Sequence, residues 1–225
     1  MPETDRVPPG VPLPSNPKTC RMFENDFFEK FSRIHPITPF VVWLPILFFH
    51  LHKCWARHDM TLLVAVGLFV GGLLTWSLSE YVLHRYVFHW MNETPSGKRI
   101  HFLVHGVHHD FPNDKDRLVM PLLLSLPVGG LFWLLFDATL GPRVGAPFFA
   151  GFTLGYLAYD GTHYAVHHFK PTSGLAKWIK RHHMLHHHAD HDGGFGVSSP
   201  LWDVVFRTMP SVKKLETTRR SAARD

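Results

Sequence analysis

Cysteine is nearly absent: only Cys20 and Cys54 occur in 225 residues. Two thiols cannot build a disulfide framework or a Cys-rich zinc module. Charge is absent from long stretches, because residues 34–52, 61–79, 118–136 and 144–159 contain no Lys, Arg, Asp or Glu. A secretory leader is not expected, since residues 1–19 are Pro-rich and polar rather than a basic start followed by an apolar core. No base-stacking aromatic pattern or nucleic-acid motif accompanies the net charge of +5, so a nucleic-acid partner is not expected.

What is present is apolar and histidine-rich. A hydrophobic content of 45% excludes disorder for most of the chain. The mean hydropathy of −0.02 would suit a soluble protein, but it averages apolar blocks with the charged segments between them. A helix needs about 20 apolar residues to cross a bilayer. Three blocks reach that range and the fourth is short. Pro121 and Pro127 would kink the third, which membrane helices tolerate. Buried helices of a soluble core are the alternative, and four such blocks would leave little polar surface to cover them. The expected fold is therefore all-α and integral to a membrane, with about four transmembrane helices.

If all four blocks cross, every one of the 23 Lys and Arg except Lys53, Arg57 and Arg143 falls on one face. Positive charge collects on the cytoplasmic side, so both termini are expected in the cytosol. Three regions are expected: a flexible Pro-rich tail over 1–20, one domain over 21–210 and a basic flexible tail over 211–225. Phe23, Phe27 and Phe31 form an i, i+4 stripe, predicting an amphipathic helix at 21–33 that lies on a membrane surface or packs on a soluble face.

Fifteen of the 19 histidines fall between residues 84 and 191. They form four clusters: His84 and His89; His105, His108 and His109; His163 and His167; His183, His186 and His187. Residues three and four apart share a helical face. The members of each H-x-x-H-H cluster are therefore expected to converge, as are His163 and His167. His84 and His89 are five apart, so their rings should diverge unless one bends back or sits at a helix end. The second and fourth apolar blocks run directly into His84 and His163, so all four clusters can meet in one cytosolic helical cap. Imidazole binds transition metals through a neutral nitrogen. Ten rings exceed the capacity of one ion, and five around each of two fits the count. A loose metal buffer would not require clusters placed at the ends of spans. His35, His50, His52 and His58 fall outside the cap and are expected at the interface. His101, His168, His182, His188 and His191 are expected to support the ligands or face solvent.

All-imidazole ligation suits Fe, Zn, Cu or Ni. The Glu-x-x-His of soluble di-iron bundles is absent. Zinc-assisted hydrolysis with Asp110 or Asp160 as base stays open on chemistry alone. Attack on an inert lipid C–H bond calls for metal and O2 rather than acid–base groups.

The four-cluster order resembles the membrane fatty acid hydroxylase superfamily, and most closely its fatty acid 2-hydroxylases. The flanking text carries the closer likeness: E-Y-V-L-H-R-Y-V-F-H at 80–89, D-R-L-V-M-P at 116–121, Y-D-G-T-H at 159–163 and G-F-G-V-S-S-P-L-W-D-V-V-F at 194–206. The resemblance implies an endoplasmic reticulum membrane enzyme that hydroxylates the alpha carbon of sphingolipid acyl chains with O2. It implies two Fe ions, with Zn acceptable in a purified form. The ligands it implies are His84, His89, His105, His108, His109, His163, His167, His183, His186 and His187, and Tyr156, Tyr159 and Asp160 match positions near the substrate. Some members carry a fused cytochrome b5 domain. The 33 residues before the first block cannot hold one and no H-P-G-G motif occurs, so a separate cytochrome b5 with its reductase is the implied electron donor. Lys177, Lys180 and Arg181 would suit docking an acidic donor, or reflect the cytosolic charge bias alone. Sterol or carotenoid hydroxylation or desaturation, and non-enzymatic membrane metal binding, remain alternatives.

Overall fold

The computed structural model describes residues 19–57 and 59–212. His58, residues 1–18 of the tail expected over 1–20 and residues 213–225 of the tail expected over 211–225 lie outside the described residues. The described residues are helical and contain no strand.

Three helices are long and apolar enough to cross a membrane. They are α2 (Thr38–Arg57), α3 (Leu62–Val82) and α6 (Leu122–His168). A short helix α1 (Asp26–Phe31) precedes them. The third and fourth apolar blocks are merged in α6, which is not straight. Gly141 adopts φ 75°, ψ 159° within it, followed by Pro142. This left-handed φ favours glycine, and proline cannot continue the preceding helix. The chain doubles back there. Phe132 and Phe152 rings lie 4.7 Å apart, and Trp133 and Phe149 5.4 Å. A straight helix would separate residues 132 and 152 by about 30 Å. The 47-residue element thus forms two antiparallel arms, and with α2 and α3 they make four apolar legs.

The legs close on aromatic rings and small residues. Trp43, Trp76, Phe136, Phe149, Phe152, Tyr156 and Tyr159 form the buried core. Trp43 Nε1 donates to Ser125 Oγ at 3.2 Å, satisfying the indole between α2 and the first arm. Against α3, the second arm has no room for a side chain at Gly151, where a Cβ would fall 1.8 Å from the Phe69 carbonyl oxygen. Gly72 meets the Phe148 carbonyl oxygen equally closely. Such small-residue contacts let membrane helices approach backbone to backbone. The outward faces stay apolar: Leu62 and Leu63 on α3 are 76% and 83% exposed, which suits lipid and not water. His50 departs from expectation. It is buried between Trp133 and Phe149 rather than interfacial.

A helical cap covers one end. It contains α4 (Pro95–His101), α5 (Val107–Asp110), α7 (Gly174–His188) and α8 (Leu201–Val205). Thr94 and Ser173 cap α4 and α7 by accepting from Gly97 N and Ala176 N. Cys20 and Met22 pack with Phe102 and Val107 in a second apolar core. Thr19 Oγ1 hydrogen-bonds Asp114, and buried Arg117 pairs with Glu29 at 2.5 Å. The predicted 21–33 helix is shorter than expected. Phe23 leaves the stripe to pack on the cap core, while Phe27, Phe28 and Phe31 stay exposed.

Candidate metal centre

Local helix geometry positions each cluster. After α3 the chain continues as a π-helical turn, Leu83–Phe88, with His89 N donating to His84 O at 3.1 Å. Bonding from i to i+5 brings residues five apart onto one face. The two rings therefore do not diverge; their centroids are 5.0 Å apart. A second π-helical turn, Phe102–Gly106, carries His105.

The ten histidines form two groups. One contains His84, His89, His105, His109 and His186; the other contains His108, His163, His167, His183 and His187. The H-x-x-H-H clusters do not converge as expected, because each is divided. At about 100° per residue, i and i+4 stay together while i+3 and i+4 point about 100° apart. His105 and His109 hence face one group and His108 the other. On α7, His183 and His187 face the second group and His186 the first.

Within each group the Nε2 atoms face one another. Nε2 of His105 lies 3.0 Å from Nε2 of both His84 and His109, and His89 and His186 approach at 3.0 Å. In the second group, contacts of 2.9–3.1 Å link His163, His108, His187, His183 and His167 in sequence. Two observations fit a cation between them. His84 Nδ1 donates to the Phe195 carbonyl at 2.6 Å and His186 Nδ1 to the Gly193 carbonyl at 2.8 Å. Neutral rings with the proton on Nδ1 present a bare lone pair at Nε2. Donors set at right angles around an ion with bonds of about 2.1 Å stand about 3.0 Å apart. The donor set and its spacing therefore fit one transition-metal ion per group.

Electrostatics keep the rings neutral. Burial, reinforced by adjacent imidazoles, pushes His89 down to about 3. Burial takes His186 to about 4, against the raising effect of the Gly193 carbonyl. His105, His108, His109, His183 and His187 are lowered as well, first by burial and then by neighbouring rings. Neutral imidazole is the form that ligates.

The remaining expected site residues lie on the second arm of α6. Tyr159 and fully buried Asp160 line a cavity of about 120 Å³ that also reaches His105, His108 and His163. Leu103, Val104, Leu118 and Leu124 make its apolar wall. Tyr156 lies deeper, edge-on to Trp43 and Trp76 at 5.5 and 5.3 Å. Both tyrosines are buried among the legs, not arrayed as an interfacial belt. Asp160 and the Tyr156 hydroxyl face each other, and neither makes a hydrogen bond within normal distance and angle limits among the described residues.

A family model for fatty acid hydroxylases matches residues 69–208. The chain belongs to the fatty acid hydroxylase family. This hydroxylase is 37% identical over 193 residues to the dihydroceramide fatty acyl 2-hydroxylase of Arabidopsis thaliana, covering 86% of this chain and 81% of that protein. It is 36% identical over 216 residues to the fatty acid 2-hydroxylase of Homo sapiens, covering 87% of this chain and 58% of the human protein. Among solved structures it is similar to full-length Scs7p, in which only the hydroxylase domain is visible, with a TM-score of 0.81 and 35% identity over 89% of this chain and 76% of that one.

Sequence reasoning missed how the hydroxylase orients its rings. Glu80 is seen there only as a residue four before His84, and Asp203 only as part of a flanking motif. Both are buried and bind the loop that supplies the Gly193 and Phe195 carbonyls. The usable signal was the Gly- and Ser-rich stretch 193–199 just before Asp203, since a non-helical buried backbone needs acceptors for its N–H groups.

Proposed function

We propose that this hydroxylase is an O2-dependent di-iron enzyme that introduces a 2-hydroxyl on the acyl chains of sphingolipids. The observation that carries the reading is the pair of five-imidazole groups with opposed Nε2 atoms at 2.9–3.1 Å, opening onto an apolar cavity. The relatives' names, which specify dihydroceramide fatty acyl and fatty acid 2-hydroxylases, support the choice of carbon and lipid. His84, His89, His105, His109 and His186 would hold one ion, and His108, His163, His167, His183 and His187 the other. Zinc fits the same donors but does not supply electrons. Iron bound there supplies the redox chemistry that O2 activation needs.

The chain's own groups bind and orient the substrate. Leu103, Val104, Leu118 and Leu124 take the acyl methylenes and exclude water from the reacting carbon. The alpha carbon is one bond from the carbonyl, so polar groups that hold the carbonyl or amide also hold the reacting C–H. Tyr159 and Asp160 are the polar side chains of the cavity besides the histidines. Asp160 accepts the amide N–H, and Tyr159 donates to the carbonyl. Tyr156, below them, holds the floor of the aromatic core.

The reaction balances as C–H plus O2, two electrons and two protons to C–OH plus water. The electrons come from a separate cytochrome b5 and its reductase, docked on the cytosolic face near Lys177, Lys180 and Arg181. The charge distribution supports an orientation with both termini cytosolic, and the family resemblance supports an endoplasmic reticulum membrane. Residues 21–210 form the catalytic domain, onto which Thr19 and Cys20 also pack. Expression in cells without their own 2-hydroxylase, with a b5 donor supplied, tests the reading. Mass spectrometry is expected to show 2-hydroxy ceramides; their absence with the protein present, or oxygen entering sterols instead, overturns it.

A further inference from the structure

One loop supplies the orienting carbonyls of only one imidazole group. Gly193 O and Phe195 O accept from Nδ1 of His186 and His84, both in the first group. In the second group, Nδ1 of His163, His183 and His187 is buried without a hydrogen-bond partner among the described residues.

Two buried acids from distant parts of the chain pin that loop. Asp203, fully buried on α8, accepts from Phe195 N at 2.9 Å, Gly196 N at 2.8 Å, Thr208 Oγ1 at 2.7 Å and His182 Nε2 at 3.0 Å. Glu80, buried at the end of α3, accepts from Val197 N at 2.7 Å, Ser198 N at 2.8 Å and the Ser198 hydroxyl. Four consecutive amides, 195–198, are therefore held by two carboxylates. Of these four residues, Phe195 directs its carbonyl to a ligand ring, His84 Nδ1. Glu80 sits one helical turn before His84, so the same turn that delivers a ring also anchors the loop that orients it.

We propose that Glu80 and Asp203 are positioning residues selective for the first imidazole group. By clamping residues 195–198 they hold the Phe195 carbonyl, which fixes the tautomer and direction of His84; Asp203 also holds Thr208, whose carbonyl accepts from Gly194 N next to the Gly193 carbonyl that orients His186. Partners that orient ligating histidines are worth about 10–100-fold in metal affinity. The clamp therefore sets the affinity of one ion and leaves the other unaffected. The proposal rests on the metal-centre reading above.

The test uses full-length protein in detergent with Zn2+ as probe, graded chelator and metal content by mass spectrometry. Unsubstituted protein should hold two ions per chain; far fewer overturns the metal-centre reading itself. His108→Ala leaves the first group to be read alone, and His186→Ala leaves the second. Adding Glu80→Gln or Asp203→Asn to His108→Ala should lower the remaining affinity about 10–100-fold. Adding either to His186→Ala should not move it. Ser198→Ala, which removes one donor to Glu80 and spares both backbone bonds, should give a smaller shift in the first group only. Equal shifts in both backgrounds, or none in the first, overturn the clamp.

Discussion

The two imidazole groups draw on the same parts in the same proportions. Each takes a pair from the end of a leg: His84 and His89 after α3, or His163 and His167 at the end of α6. Each takes an i, i+4 pair from one H-x-x-H-H cluster and the remaining member from the other. Their support differs. The first group includes two rings tied to backbone carbonyls, from a loop held by Glu80 and Asp203. In the second, three buried Nδ1 atoms, of His163, His183 and His187, have no hydrogen-bond partner among the described residues. Equal ligand number thus coexists with unequal preorganisation, and the two ions should respond differently to the same perturbation.

The strongest way to break the comparison is to move both groups at once. Gly151→Val places a side chain where even a Cβ would fall 1.8 Å from the Phe69 carbonyl oxygen. The legs bearing His84 and His163 must separate, at a cost of about 1–3 kcal/mol or more. Folded yield in detergent should fall sharply, and the residual protein should lose both ions together. Single ligand substitutions should divide the groups. His108→Ala or His187→Ala should lower metal content toward one ion per chain and reduce 2-hydroxylation to background while the protein still inserts in membranes. Full activity in either variant would contradict the dimetal reading.

Acid should sharpen it further. Burial depresses the rings, with His186 near 4 and His89 near 3. The unfolded chain binds their protons near pH 6.5, so it gains protons before the folded state does. Metal-free protein should hold constant stability above about pH 7 and lose it as pH falls below about 6.5 toward 4. Thermal unfolding across that range measures this; stability rising on acidification would contradict it. The smallest effects belong to histidines outside both groups. His168→Ala and His188→Ala should change stability by no more than about 0.5 kcal/mol, with two ions per chain retained on metal analysis.

Much of the fold is readable from the chain because burial in lipid acts on contiguous residues. Four charge-free blocks became four apolar legs. Their junction at Gly141–Pro142 was less readable, because a kinked helix and two helices share one composition. The G-x-x-x-G at Gly151 and Gly155 was present in the sequence, but its partners on α3, the Phe69 carbonyl and the Trp76 side chain, were not. In the site, the clustering of histidines was legible and their partition was not. His108 and His109 are neighbours in sequence and belong to different groups. His84 and His89 share a group only because the helix widens into a π turn.

By itself, then, the sequence determined an all-helical membrane protein with four of its clustered imidazoles at the ends of apolar legs and six between or beyond them. The helices and legs follow from local periodicity and hydrophobic length, which each segment carries alone, and the likeness to fatty acid hydroxylases follows from the order of the histidine clusters and their flanking motifs. Only the tertiary structure decided which rings share a group, and that a single loop serves one of the groups. Those outcomes depend on contacts between residues more than 100 apart, such as Glu80 with Val197 and His84 with Phe195. Spacing rules set angles within a helix, whereas the packing of separate helices sets the distances across which nitrogen atoms meet.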